Sequence, residues 1–386
     1  MALEPDVQEH AGRLRDWLSE RAAELRHFAE RTPGGIAANV EHERALLRLL
    51  HEAGWSRWGW PTEAGGFGGP ILLRAVLYDE LAAAGVELPE AYVILETLGP
   101  LLVEFAPALA AVHLPRFLGG TEIWGQGFSE PEAGSDLAHL RTRAVPTDQG
   151  FLLTGQKVWT TLGQFAQYAA VLARTGSSDS AHRGLTMLWV DLTAPGVTVR
   201  PIEASNGRDE FAEMFFDGVI VPADGVIGSV GAGWAAAMYL LQYERGMYAW
   251  QRQAVLHRRL REAVAAATGA HHRPSATASI ALGRALHLTH QLRARSRHTV
   301  SRLSSAENPG PEISVDKALL GQSEQATFDA VRLLDPGGML LGSAGSDQRQ
   351  RDEWFYSRAS TIFGGAIDVQ RDIVSERVLR LPRSGR

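Results

Sequence analysis

A block of closely spaced β-prone runs between two helical blocks is the feature that most restricts the fold of this chain. Between about residues 123 and 227, short runs rich in aromatic and branched apolar residues are punctuated by turn residues, such as Thr154-Gly155 and Ala194-Pro195-Gly196. The runs cover residues 151–153, 168–172, 185–190, 197–199 and 214–216. Strands that follow one another without helices predict an antiparallel barrel or sandwich.

Helical periodicity is present on both sides of this block. Before it, apolar residues recur at spacings of three and four, as at Leu14, Trp17 and Leu18, and only the glycine- and proline-rich segment 60–70 predicts a loop. After Gly233 the helical pattern returns, with loops predicted near 305–312 and 335–347. Helices, then strands, then helices predict an α+β fold. We place its domains at residues 1–122 (helical), 123–227 (β) and 228–386 (helical bundle).

Composition excludes several classes of protein. The chain of 386 residues has no cysteine, which excludes disulfides, thiolate nucleophiles and cysteine-ligated metals. Its net charge of −6, without a basic stripe, argues against nucleic-acid binding. No run approaches the roughly 20 apolar residues of a membrane span, and the charged N-terminus lacks the apolar core of a signal peptide. We therefore expect a cytoplasmic protein.

Basic and histidine residues give no further sign of a site. Arginine greatly outnumbers lysine, which we attribute to codon bias rather than to function. The cluster Arg258-Arg259-Leu260-Arg261 predicts a charged helix face, with contact to a phosphate group of a ligand as the alternative. His271 and His272 are adjacent in a polar loop, a setting typical of solvated histidines, so we expect no metal site.

Five segments follow one another along nearly the whole chain: WPTEAGGFGG, GFSEPEAGSDLAHLRTRA, GQKVWTTLGQFAQYAAVLART, FFDGVIVPADGVIGSVGAGW and FGGAIDVQRDIVSERVLRLPR. Together and in this order they resemble the motifs of the acyl-CoA dehydrogenase family. The resemblance implies an N-terminal α-helical domain, a central β-barrel or sandwich domain and a C-terminal four-helix bundle. It also implies FAD as cofactor, oxidation of an acyl-CoA to the trans-2-enoyl thioester, and an electron-transfer flavoprotein as acceptor.

The segment 129–136, Ser-Glu-Pro-Glu-Ala-Gly-Ser-Asp, is the expected flavin turn. A glycine-containing turn exposes backbone N–H groups that suit flavin carbonyls or a pyrophosphate. An isolated turn of this kind is usually only capped by its serines, so the assignment depends on the order of the five motifs. The resemblance implies FAD contacts from Gln126, Phe128, Ser129, Gly134, Ser135, Trp159, Thr161, Gly365, Ala366 and Asp368.

Dehydrogenation of a thioester requires a base for the α-proton and stabilisation of the enolate oxygen. The last of the five segments, which begins at Phe363, is called the closing motif below. In many family members the base follows the aromatic residue of this motif, where this chain has Gly364. Another branch places the base on a C-terminal-domain helix just before an arginine, which is the position of Glu244 before Arg245. We expect Glu244 to be the base and the N–H of Gly364 to bond the thioester carbonyl. Tyr243, Arg245 and Phe363 are the expected substrate contacts.

The sequence around Glu244 supports this choice independently of the resemblance. On a helix its neighbours are Leu240, Leu241, Met247 and Tyr248, with no lysine or arginine at a spacing of three or four. A carboxylate on an apolar face costs several kcal/mol unless it is compensated, and such groups are enriched at functional sites. The alternative is that Glu244 caps a neighbouring helix or pairs with a distant arginine. The missing side chain at residue 364 is also expected to widen the pocket.

Departures from the family pattern leave other hypotheses open. Ala366 and Asp368 replace a threonine and a glutamine or glutamate, and residues 332–345 only loosely resemble the loop that reaches a neighbouring subunit's FAD. One alternative is a flavin-poor or inactive partner subunit of a heteromeric acyl-CoA dehydrogenase; another is a flavin monooxygenase or oxidase of the same fold. Similar departures occur in actinobacterial members that act on sterol side chains, some as mixed tetramers. We expect a homodimer or tetramer, possibly heteromeric with a related subunit.

Overall fold

The computed structural model describes residues 5–29, 35–269, 274–342 and 345–382. His271 and His272, the histidines considered above, lie outside the described residues. Within the described ranges, helices precede and follow a group of strands, as predicted. None of these helices has both the length and the apolar stretch that crossing a membrane requires.

The order of elements is as follows for the part of the chain that the structure describes. The helices before the first strand are α1 (Pro5–Glu20), α2 (Ala22–Leu25), α3 (Gly35–Glu52), α4 (Leu72–Ala83), α5 (Ala91–Phe105) and α6 (Pro107–Leu118). The strands are β1 (Trp124–Gly127), β2 (Arg143–Thr147), β3 (Gly150–Thr161), β4 (Tyr168–Arg174), β5 (Leu185–Asp191), β6 (Val197–Ile202), β7 (Phe211–Val221) and β8 (Val226–Ile227). The helices after them are α7 (Gly233–Gly269), α8 (Ala276–Ser304), α9 (Ser314–Leu334), α10 (Pro336–Leu341), α11 (Gly345–Ala359) and α12 (Ile367–Ile373).

The chain divides into two compact units. One unit contains residues up to Ala29, Pro70–Leu88 and the chain from Glu244 onward. The other contains Glu30–Gly69 and Pro89–Tyr243. We call them the helical unit and the sheet unit, and the boundary between them falls inside α7.

The sheet unit is built around one eight-stranded sheet. Its strand order is β6-β7-β3-β2-β4-β5-β8, with β1 paired in parallel to β4. Apolar side chains of alternate residues form its core, including the fully buried Leu153, Val171, Leu188 and Met214. All five predicted β-prone runs lie in strands. Strands β1, β2 and β8 are additional: β1 contains two glycines, β2 a proline, and β8 is only two residues long, so none has a strong strand signal.

In the helical unit, α7, α8 and α9 pack against one another through alanine and leucine side chains. Leu260, Ala285 and Ala330, one from each helix, are fully buried together. Helix α8 begins at a side-chain cap, because the Ser275 hydroxyl accepts a hydrogen bond from the N–H of Ala278 at 3.1 Å.

The prediction of a loop over 335–347 was wrong. Residues 336–341 form α10, and α11 begins at Gly345. Asp335 caps α10 by accepting from the N–H of Gly338 at 2.9 Å, and Pro336 occupies the first helical position, where its missing N–H costs nothing. The proline and glycines, which predicted a loop, instead mark the start of a short helix.

The arginine cluster of α7 is not the exposed charged face that the sequence predicts. Arg258 and Arg259 are buried, and both donate to the carboxylate of Glu87, at 3.4 and 3.0 Å. Both also donate to Glu262, at 2.7 and 3.2 Å. These arginines therefore connect α7 to the segment that follows α4 within the helical unit.

Candidate active site

A buried ion pair holds the predicted flavin turn in the sheet unit. The ammonium of Lys157 donates to Glu130 Oε1 at 2.8 Å and to the carbonyl of Phe128 at 3.0 Å. The Glu130 carboxylate also accepts from the backbone N–H groups of Arg141, at 2.6 Å, and Thr142, at 2.9 Å. Burial lowers the pKa of Lys157 to about 8, even though the carboxylate beside it opposes this shift. Sequence reasoning missed this pair, because nothing in the spacing connects residues 130 and 157.

The tip of the turn is open to solvent. Gly134 and Ser135 are exposed, and a Cβ added to Gly134 would meet nothing within 4 Å, so the protein interior does not require glycine there. Gln126 lies on β1, partly buried. The backbone of Ser129 is fixed to β3, because its carbonyl accepts from the N–H of Val158 at 2.9 Å. The turn therefore has an anchored start and an accessible tip.

Trp159 lies at a β-bulge and is exposed. The register of β3 against β7 shifts between Lys157 and Thr160, and Trp159, inside this shift, has a φ of +64° and is 59% exposed. A bulky residue at positive φ costs of order 1–3 kcal/mol, and such strain clusters at functional sites. Its ring has one edge-on aromatic neighbour, Phe211, at 6.0 Å between centroids. Thr161, half-buried, ends the same strand.

In the helical unit, the carboxylate of Glu244 occupies the space in front of Gly364. A Cβ built on Gly364 would lie 2.8 Å from Glu244 Oε1, closer than such atoms approach one another. The φ of Gly364 is +63°, which side chains rarely tolerate. A side chain at residue 364 would therefore be strained by the backbone and would require the Glu244 carboxylate to move. The Glu244 carboxylate occupies part of the space that a side chain would take, and a wider pocket at this point stays a prediction.

Lys317 of α9 reaches the same point, and sequence reasoning missed it. Its Nζ lies 3.8 Å from the Cβ position built on Gly364 and donates to the carbonyl of Ser360 at 2.7 Å. The ammonium also stands 4.5 Å from the centroid of the Phe363 ring, a cation–π contact. Burial lowers the pKa of Lys317 to about 8, although the charge of Glu244 opposes the shift.

The side chains of Arg245 and Gln370, each with one unsatisfied polar atom, lie beside Gly365. A Cβ on Gly365, whose φ is +102°, would collide with the Gln370 amide and lie 3.5 Å from Arg245 Nη2. Among the described residues, neither Arg245 Nε nor Gln370 Oε1 has a hydrogen-bond partner, although both atoms are buried. Burial also lowers the pKa of Arg245, with Glu244 opposing the shift. Buried atoms left unsatisfied call for a ligand or water.

The two residues that depart from the family pattern lie at the start of α12. Ala366 is its N-cap and provides no side-chain hydrogen bond. Asp368 is exposed in the first turn, where its carboxylate accepts from Arg371 Nη1 at 3.3 Å. Asp368 thus has a partner on its own helix.

Aromatic side chains accompany the predicted substrate contacts in each unit. In the sheet unit, the hydroxyls of Tyr243 and Tyr239 are 3.3 Å apart. In the helical unit, the Phe363 ring packs against Tyr356 and Tyr248, with centroids 5.4 and 6.3 Å away. The hydroxyls of Tyr248 and Tyr356 are 3.1 Å apart, so these two rings support Phe363 as a pair.

Comparison with known proteins decides the family. The N-terminal, middle and C-terminal domains of acyl-CoA dehydrogenases match residues 14–120, 125–219 and 231–379. The acyl-CoA dehydrogenase IpdE1 of Mycobacterium tuberculosis is 37% identical over 392 residues, covering 99% of both chains. This chain belongs to the acyl-CoA dehydrogenase family. It is an oxidoreductase acting on CH–CH groups of acyl-CoA, as predicted.

Further relatives agree with this assignment. IpdE1 of Mycolicibacterium smegmatis is 36% identical and covers 98% of both chains. Among solved structures, the Tcur3481-Tcur3483 steroid ACAD matches with a TM-score of 0.83 and 26% identity over 99% of both chains. The ChsE4-ChsE5 complex from Mycobacterium tuberculosis matches with a TM-score of 0.82 and 26% identity over 100% of both. The predicted fold class is confirmed, whereas the roles of individual residues and the domain boundaries stay predictions.

Proposed function

We propose that this acyl-CoA dehydrogenase binds FAD and converts an acyl-CoA to the trans-2-enoyl thioester, with Glu244 as the base. The observation that carries the proposal is the position of the Glu244 carboxylate, 2.8 Å from the Cβ position of Gly364. Family members with the base in the closing motif carry it at that residue. Here the glycine leaves room for a carboxylate that comes from α7 instead.

Several residues fit a bound flavin. FAD supplies the acceptor for the hydride that leaves the β-carbon. Its proposed contacts are Gln126, Phe128, Ser129, Gly134, Ser135, Trp159, Thr161, Gly365, Ala366 and Asp368. The exposed turn tip and the strained, exposed Trp159 support the first group. The unsatisfied atoms of Arg245 and Gln370 beside Gly365 support the second.

The chain's own residues divide the proton chemistry between them. Glu244 would take the α-proton, which is only weakly acidic, so the enolate oxygen must be stabilised at the same time. The N–H of Gly364 is the proposed donor to that oxygen. Tyr243, Arg245 and Phe363 are the proposed contacts to the rest of the substrate. Phe363 is well suited to this, because two tyrosines and Lys317 fix its ring.

The substrate we propose is a bulky thioester derived from a steroid. Support comes from the similarity to the Tcur3481-Tcur3483 steroid ACAD. An electron-transfer flavoprotein is the proposed acceptor, and the protein is proposed to act as a homo- or hetero-oligomer in the cytoplasm. We retain the domain boundaries at 122/123 and 227/228 as part of this proposal.

Anaerobic reduction of the purified holoprotein tests the proposal. Short, branched, long and steroid-derived acyl-CoA thioesters are added in turn, and flavin bleaching is recorded. We expect bleaching with steroid-derived thioesters, and Glu244→Gln should abolish it while FAD stays bound. A Glu244→Gln variant reduced at the parent rate would eliminate Glu244 as the base.

The visible spectrum of the chain expressed alone tests the main alternative. Stoichiometric flavin in the isolated oligomer would contradict a role as a flavin-poor partner subunit. Flavin that appears only after co-expression with a related subunit would favour that role. Rapid peroxide formation or substrate hydroxylation in air would instead favour an oxidase or monooxygenase.

A further inference from the structure

The chain contains only two lysines among its 38 basic residues, and both are buried. Lys157 is 0% and Lys317 is 3% exposed, although lysine is normally a surface residue. Every other basic residue is arginine. Codon bias accounts for arginine on the surface, but it leaves unexplained why lysine remains at these two interior positions. A compact ammonium differs from the larger, planar guanidinium in shape and hydration, so arginine is not an equivalent residue at these two buried positions.

We propose that Lys317 is a positioning residue for Glu244, which keeps this carboxylate ionised and directed at the space in front of Gly364. The inference rests on the proposed function, in which Glu244 is the base. Through Lys317, helix α9 would then contribute to the position and charge of the base, a role that the sequence of α9 does not indicate.

The position of Lys317 is fixed from two sides. Its Nζ donates to the carbonyl of Ser360 at 2.7 Å and stands 4.5 Å from the Phe363 ring centroid. Both contacts belong to the segment that leads into Gly364. Lys317 therefore ties α9 to the backbone turn that the carboxylate of Glu244 faces.

Of the charged groups around Lys317, Glu244 acts on it most strongly. The pKa of Lys317 responds to the charges of Glu244 and Arg245 on α7 and of Glu324, about two turns further along α9. Glu324 is already bound by Arg252, whose Nε and Nη2 donate to its two oxygens at 2.5 and 2.9 Å. Arg252 thus largely neutralises Glu324, which leaves Glu244 as the anion that Lys317 serves.

Lys157 shows what a direct ion pair looks like in the same chain. Its ammonium donates to a carboxylate, that of Glu130, at 2.8 Å, whereas the ammonium of Lys317 donates to an uncharged carbonyl. A base must be able to accept a proton, so a strong contact pair would oppose catalysis. Lys317, held by the carbonyl of Ser360, acts on the Glu244 carboxylate through its charge.

Three substitutions in the holoprotein test the role through the pH dependence of flavin reduction. Lys317→Gln keeps a donor for Ser360 but removes the charge, Lys317→Met removes both, and Lys317→Arg keeps the charge. Loss of the charge should move the acidic limb of the rate–pH profile upward by about 1–2 pH units in the first two variants. Lys317→Arg should return the acidic limb toward the parent position, because the charge is kept, but with a lower rate, because the guanidinium is larger than the buried ammonium. An acidic limb at the parent position in Lys317→Gln, with only the rate lowered, would overturn the inference.

The presence of just two lysines allows a second test that does not depend on activity. Protein labelled with ¹⁵N-lysine gives two side-chain signals, and Lys317→Gln identifies which belongs to Lys317. In Glu244→Gln the titration midpoint of Lys317 should fall by about one pH unit, because the anion that favours its charge is gone, while Lys157 stays unchanged. Equal midpoints for Lys317 in the parent and Glu244→Gln would overturn the inference. If Lys317→Gln does not fold, Lys157→Gln assigns the two signals instead, because the chain has no other lysine.

The two proposals fail in distinguishable ways. If no thioester bleaches the parent flavin, or if Glu244→Gln is still reduced, the proposed function is wrong. If the parent is reduced and Glu244→Gln is not, but the Lys317 variants keep the parental pH profile, only the role of Lys317 is wrong.

Discussion

Glu244 Oε1 lies 2.8 Å from the point where a Cβ on Gly364 would stand. A residue larger than glycine at 364 would therefore require the Glu244 carboxylate to move away from this point. The position of the Glu244 carboxylate on α7 thus depends on glycine at residue 364 of the closing motif.

Gly364→Ala should slow flavin reduction by about 10- to 100-fold while FAD stays bound. The methyl group would push the Glu244 carboxylate out of place, and the positive φ of residue 364 would add a cost of about 1 kcal/mol. Gly283→Ala is the matched control, because a Cβ on Gly283 in α8 meets nothing within 4 Å. Equal reduction rates for parent and Gly364→Ala in single-turnover measurements would contradict the expected displacement.

Moving the carboxylate from residue 244 to residue 364 of the closing motif should partly restore the flavin reduction that each single substitution abolishes. Gly364→Glu alone should be inactive, since its side chain competes with Glu244 for one space. In the double variant Glu244→Gly/Gly364→Glu the competition is gone, and we expect reduction well above either single variant but below the parent because of the strained backbone. The rates of all four proteins form a double-mutant cycle. If the losses in rate of the two single variants simply add in the double variant, the two side chains do not compete for one space.

The features that could be predicted from the sequence are those that local patterns and motifs determine. The order of helices and strands followed from periodicity, and the pairing of Glu244 with Gly364 followed from the motifs. Sequence reasoning missed Lys317 and the pair between Glu130 and Lys157, because these contacts join residues far apart in the chain. Helical spacing reveals only the neighbours on the same helix, so the cation beside Glu244, which comes from α9, left no signal around residue 244.

Trp159→Gly should separate a binding role from a structural one. Trp159 is 59% exposed and has a φ of +64°, so glycine relieves strain and loses little burial. The apoprotein should therefore be no less stable, while its affinity for FAD falls at least tenfold. Trp159→Ala, which removes the ring but keeps the strain, should lose the same affinity and be about 1 kcal/mol less stable than Trp159→Gly. Unchanged flavin affinity in both variants would exclude Trp159 from the cofactor site.

The two buried lysines should make the protein more stable as pH rises from 7.5 to 9. Burial lowers the pKa of each to about 8 from an ordinary 10.5, so the unfolded chain binds protons more readily than the folded one. Their contribution is complete above the unfolded value and is lost as pH falls through about 8, which gives a gain of about 1 kcal/mol per lysine over this interval. Urea unfolding of the apoprotein at the two pH values measures the gain. Lys317→Met should retain about half of this gain in the free energy of unfolding. An equal free energy of unfolding at both pH values in the parent would mean that both ammonium groups titrate as they do in water.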